Sequence, residues 1–120
     1  KEFLRVMTTS SNEENLPPSI TSSDTGTVEE NASVDTIIYD AAAFDPDNDT
    51  LTYSISGTDA SHVTIDSDDG EVRLIESADY ETKAFYSFDV TVSDGELSDT
   101  KSVTVDVTDG DLSDFQDFFP

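Results

Sequence analysis

The chain has no cysteine and no tryptophan, and only five of its 120 residues are lysine or arginine. Without cysteine there is no disulfide framework and no thiolate metal site; compartment is left open. With so few cations there is no basic stripe, so nucleic acid and anionic lipid are repelled rather than bound. No apolar run approaches the length of a membrane span, which excludes direct membrane insertion of this segment. Phe3-Leu4-Arg5-Val6-Met7 is too short for the apolar core of a targeting signal.

What is present in excess is carboxylate. Twenty-eight acidic residues give a formal charge of −23, and such self-repulsion works against a compact state unless it is neutralised. Val, Ile, Leu and Phe make up 29 of the 120 residues, above the roughly 20% below which a charged chain stays disordered. A modest core is therefore available, and bound cations would manage the charge.

Residues 1–14 are polar and unpatterned and read as a tail or linker, as do residues 110–120 despite Phe115, Phe118 and Phe119. Between them, residues 15–109 alternate with a period of two and show no helical periodicity. Expected strands run from Ser19 to Val28, broken near Asp24-Thr25-Gly26; through Ile37, Tyr39, Ala41 and Ala43 on one face; and over Leu51–Ile55. Val63–Ile65 and Val72–Leu74 form a hairpin across Asp68-Asp69-Gly70, and the last two strands carry Tyr86, Phe88, Val90, Val92 and Val103, Val105, Val107. Seven short strands with turn signals between them argue for an all-β, antiparallel Greek-key β-sandwich.

Strand parity then sorts the acidic stretches. If each strand reverses the last, alternate loops share an end. Asp45, Asp47 and Asp94 fall at the upstream end, where the chain comes in. Glu30, Asp79, Glu81 and Asp109 fall at the downstream end, where it leaves. Like charges so gathered repel one another, whereas Ca²⁺ takes about six to eight oxygens and would be held by such groups. The alternative is that aspartate merely favours turns and keeps the surface soluble.

The order Val28-x-Glu30-Asn31, Asp45-x-Asp47, Leu51-x-Tyr53-Ser54-Ile55, Asp79-Tyr80-Glu81, Tyr86-x-Phe88-x-Val90-x-Val92-x-Asp94 resembles a cadherin repeat over about Asn15 to Asp109. Ile65-Asp66-Ser67-Asp68-Asp69-Gly70-Glu71-Val72 and Val90-Thr91-Val92-Ser93-Asp94-Gly95 look most like the cadherin-like repeats of large bacterial surface proteins and adhesins. The resemblance implies a cadherin/immunoglobulin-like sandwich, extracellular or at the cell surface, binding Ca²⁺ at the junctions between tandem repeats. It matches Glu30, Asp79, Glu81 and Asp109 to ligands facing the following repeat, and Asp45, Asp47 and Asp94 to ligands facing the preceding one. The implied role is non-catalytic: calcium-dependent rigidity and adhesion. Implied partners are neighbouring repeats of the same chain, and a homophilic copy or a cell-surface protein or glycan.

The chain departs from the family pattern where Asp109-Gly110-Asp111-Leu112-Ser113 replaces Asp-x-Asn-Asp-Asn, and where Asn12-Glu13-Glu14-Asn15-Leu16-Pro17 lacks a leading Asp. The loop Asp45 to Asp49 is also shorter than in animal cadherins. Fewer or weaker ions than a full junction are expected, in the millimolar range of extracellular modules.

Other motifs fall short. Asp45, Asp47 and Asp49 mimic three positions of an EF-hand, but Thr50 and Ser56 stand where Gly and Glu are required, and strands flank the loop. Asp24-Thr25-Gly26 spells the aspartic-protease triplet once, preceded by Ser22-Ser23, and reads as a turn. His62 is expected half-buried at the start of a strand, with no triad around it. Asn31-Ala32-Ser33 and Asn48-Asp49-Thr50 match the N-glycosylation pattern by composition alone. The alternative function is a carbohydrate- or protein-recognition module, against which stands the absence of tryptophan.

Overall fold

A computed structural model describes residues 15–109; the expected tails lie outside them. The alternation written into the last two strands sets the frame. In β8 (Phe85–Ser93), Tyr86, Phe88, Val90 and Val92 are buried, and in β9 (Ser98–Thr108) so are Val103, Val105 and Val107. Because side chains of a strand alternate faces, each strand presents one apolar face. The two pair antiparallel over nine residue pairs, from Phe85↔Asp106 to Ser93↔Ser98.

On this hairpin the rest is assembled. β5 (Thr52–Ser56) adds antiparallel to β8, and β2 (Thr25–Glu29) adds parallel to β9, giving the sheet order β2-β9-β8-β5. The opposing sheet is β3-β7-β6, from Tyr39–Asp40, Glu71–Leu74 and Val63–Ile65. β1 (Ser19–Ile20) and β4 (Ala43–Phe44) pair separately. The two larger sheets enclose one core as a β-sandwich: Tyr39 of one packs edge-on to Phe88 of the other, ring centroids 6.4 Å apart. At Gly26 the layers come so close that a Cβ would stand 2.6 Å from the carbonyl oxygen of Ile38.

Among the described residues nine strands thus stand where seven were expected, because two split between sheets. The first leaves β4 after Ile20 and rejoins at Thr25 against β9; the second divides into β3 and β4. The switch in the first is held by side chains: Ile20 N–H donates to Asp99 (2.8 Å), Lys101 Nζ to the carbonyl of Ser22 (2.9 Å), and the Tyr39 hydroxyl to the carbonyl of Ser23.

Two expectations of burial are corrected. Ile37 is 42% exposed, while Ile38 and Tyr39 are both buried. The Ile38 N–H bonds the Val72 carbonyl, so the alternation breaks just before β3. His62 is exposed, ending a 3₁₀ turn (Ala60–His62) rather than starting the strand, and lies edge-on to Tyr86 with centroids 6.0 Å apart. Asp24 is exposed, and its carbonyl accepts the Thr104 N–H; the triplet serves the crossing into β2. Among the described residues, no helix is long and apolar enough to cross a membrane.

Candidate metal centres

β8 (Phe85–Ser93) runs between the two ends of the described sandwich, and its eight residue steps separate its own termini by about 27 Å. At the downstream end β2 and β9 finish side by side, and the Glu30 N–H continues their ladder to the Thr108 carbonyl (3.0 Å). The next amide, Asn31 at φ 68°, donates to Ala78 and draws in the loop before β8. Glu30, Asp79 and Glu81 consequently bring one carboxylate oxygen each within 4.8 Å of one another. Asp79 is prearranged by its own turn: Oδ1 accepts the Glu81 N–H (3.2 Å) and Oδ2 the Thr82 hydroxyl (3.0 Å). The Thr82 hydroxyl, with help from the Glu81 amide, holds its pKa below the ordinary aspartate value against partial desolvation. Asp109 follows Thr108 at this end and is half-buried, outside the group of three whose oxygens gather.

The upstream end is built around a buried carboxylate. Asp45 is 6% exposed; its Oδ1 accepts the Asp47 N–H (2.8 Å), while Oδ2 is buried and meets no donor among the described residues. Asn48, at φ 58°, turns the loop back by donating to the Asp45 carbonyl (3.0 Å); asparagine tolerates that left-handed conformation. The oxygens gathered here within 4.8 Å belong to Asp45, Asp49 and Asp94. Asp47, the expected member, instead accepts the Leu16 N–H on Oδ2 (2.8 Å) and ties down the incoming chain.

Asp94 closes the β8–β9 turn. Its Oδ1 takes the amides of Glu96 and Leu97 (2.8 Å each), and its Oδ2 the side-chain amide of Asn15 (2.9 Å). The Leu97 and Glu96 amides lower its pKa. Asp49 has the opposite shift: desolvation first, then the charges of Asp45, Asp47, Asp94 and Glu96, raise it. Repulsion within this cluster is therefore only partly relieved by hydrogen bonds.

Two aspartates at these ends lie outside the expected set. Asp49 was legible only as an EF-hand mimic, although its alternation with Asp45 and Asp47 places it on the same loop. Asp59 left no sequence signal. It is buried, 2.9 Å from Lys83 Nζ, and Oδ2 takes the Ser87 N–H (2.7 Å).

With this geometry the relatives can be placed. The cadherin domain family model matches residues 24–108. Mouse cadherin-related family member 2 is 39% identical over 69 residues, covering 58% of this chain and 5% of that protein. Drosophila melanogaster cadherin-87A is 33% identical over 89 residues, covering 73% and 4%. Among solved structures, human protocadherin-24 EC1-2 superposes with a TM-score of 0.72 at 30% identity, over 79% of this chain and 46% of that one. Drosophila N-cadherin EC1-3 gives 0.72 at 25% identity, over 79% and 35%. These relatives are animal proteins, and they lend no support to the expected likeness to bacterial repeats. The chain spans about one-twentieth of the curated relatives it matches. Proteins of this family are adhesion proteins rather than enzymes. With a sandwich of their shape and a family match across most of its length, this chain belongs to the cadherin domain family.

Proposed function

We propose that this domain is a non-catalytic, Ca²⁺-binding repeat of an extracellular or surface protein, giving calcium-dependent rigidity to the junctions with neighbouring repeats and so to adhesion. The observation that carries the reading is the buried Oδ2 of Asp45, which has no donor among the described residues and sits in a group with Asp49 and Asp94. A buried carboxylate oxygen without a partner costs stability, and a hard cation is the partner that satisfies it without a proton. The all-oxygen donor set suits Ca²⁺ rather than a softer metal.

Asp45, Asp49 and Asp94 would hold the upstream ion, with Asp47 available beside them. Glu30, Asp79 and Glu81 would hold the downstream one, with Asp109 adjoining. Each cluster supplies part of the shell of about six to eight oxygens, leaving the remainder to backbone, water or the next repeat. When bound, Ca²⁺ replaces carboxylate repulsion by shared coordination. The residues contribute fixed orientation: backbone amides hold Asp45, Asp79 and Asp94 in place before any ion arrives.

The test is thermal unfolding in millimolar Ca²⁺, in chelator, and in Na⁺ of equal ionic strength. Ca²⁺ alone is expected to raise the melting temperature. Superimposable curves in Ca²⁺ and chelator would overturn the proposal.

A further inference from the structure

We infer that the Asp59–Lys83 ion pair is a positioning element of the downstream carboxylates, an inference that rests on the calcium reading above. Asp45 and Asp59 are the buried charged residues among those described. Asp59 is gripped by β8 on both sides: its N–H donates to the Ser87 carbonyl (2.9 Å), and its Oδ2 accepts the Ser87 N–H (2.7 Å). Its remaining oxygen, Oδ1, lies 2.9 Å from Lys83 Nζ. The ammonium also stands 5.4 Å from the Tyr86 ring centroid and 6.0 Å from that of Phe85.

Lys83 is in turn the last residue of the turn that carries the ligands. Its N–H and that of Thr82 both donate to the Asp79 carbonyl (2.8 and 3.0 Å). A continuous chain of contacts therefore runs from the rigid β8 ladder through Asp59 and Lys83 to the backbone of Asp79. That segment is otherwise exposed: Asp79, Tyr80, Glu81 and Thr82 all lie at the surface. A half-buried lysine whose ammonium is anchored by a buried carboxylate helps to fix where Asp79 and Glu81 stand, alongside the Asn31–Ala78 bond and the turn of Asp79 itself. Outer-shell contacts that orient metal ligands are typically worth about 10–100-fold in affinity.

Electrostatics makes the opposite prediction, so the sign of the effect decides. Lys83 and Asp79 line the same groove. By Coulomb's law alone, removing the ammonium would make the downstream end more negative and tighten its hold on a cation. A positioning role demands weaker binding.

The experiment is a Ca²⁺ titration of the ¹⁵N-labelled chain followed by NMR. The amides of Glu30 and Glu81 report the downstream end, and those of Asp47 and Glu96 the upstream end. Lys83→Met is expected to weaken the downstream site by about tenfold or more while the upstream site is unchanged, and Lys83→Arg is expected to restore most of the loss. The double variant Asp59→Asn, Lys83→Met removes both charges of this pair and so leaves neither partner buried and unpaired, and is expected to fold and show the same loss. Downstream affinity that is unchanged or tighter, or equal weakening at both ends, overturns the positioning role. The calcium reading fails separately: wild-type Glu30 and Glu81 amides that do not move with Ca²⁺ overturn it, and the positioning role with it.

Discussion

Gly70 and Ala41 meet backbone to backbone: the Ala41 N–H donates to the Gly70 carbonyl (2.9 Å), and a Cβ built on Gly70 would stand 2.6 Å from the Ala41 carbonyl oxygen. This contact seats the β6–β7 turn against the chain between β3 and β4. Gly70 has φ +79°, where an L side chain is strained in addition to being crowded. Gly70→Ala is expected to lower stability by about 2–5 kcal/mol, combining left-handed strain with overpacking. Gly95 is the control: its φ is +103° but nothing lies within 4 Å of a Cβ, so Gly95→Ala should show the strain alone, about 1–2 kcal/mol. Urea midpoints at constant slope measure both; equal losses would remove the close approach from the account.

At the upstream end, Asp45→Asn keeps an acceptor for the Asp47 amide and removes one buried negative charge. In chelator the variant is expected to be as stable as the wild type or more so, since an unpartnered carboxylate oxygen is gone. In Ca²⁺ the order reverses, because the variant loses the upstream part of the calcium-dependent gain. That gain is about 2.7 kcal/mol for a site at one hundred times its dissociation constant. Calorimetry in the two buffers provides the comparison; a variant that keeps the full calcium-dependent shift excludes Asp45 as a ligand.

Asp59 predicts a pH dependence. Burial pushes its carboxyl up, but the Ser87 amide and the Lys83 ammonium outweigh that and leave its pKa below the ordinary aspartate value. Below the unfolded pKa of about 3.9 the folded state then binds fewer protons than the unfolded one. Its stabilisation is therefore full above about pH 4 and is lost as pH falls through the lower, folded value. Asp59→Asn is expected to be less stable by about 2 kcal/mol at neutral pH, with the partly exposed Lys83 screening some of the pair. The difference from wild type should shrink below about pH 4. A gap that stays constant down to pH 2 would mean that the carboxylate charge contributes nothing.

How much of this was legible beforehand differs by residue. Tyr86, Phe88, Val90 and Val92, and Val103, Val105 and Val107, alternate in the sequence as they do in the core, because a strand with one wet face must bury every second side chain. Parity sorted the acidic loops by end for the same local reason, since β2 and β9 run parallel as first and last strands should. Ile37 departs from its expected inward face because Ile38 and Tyr39 are buried in succession, a break that depends on how the segment meets Val72 and not on its own pattern.

The two-residue period, the excess of carboxylate and the end of the sandwich to which each acidic loop belongs are all encoded along the chain, because they follow from local chemistry and from reversal of direction at each turn. Which carboxylates gather depends on contacts made in the folded chain. Asp49 joins Asp45 and Asp94 while Asp47 turns to Leu16, and Asp59 finds Lys83 under the downstream loop. Those choices are made by side chains and amides brought together from as far as 79 residues apart, and no spacing along the chain encodes them.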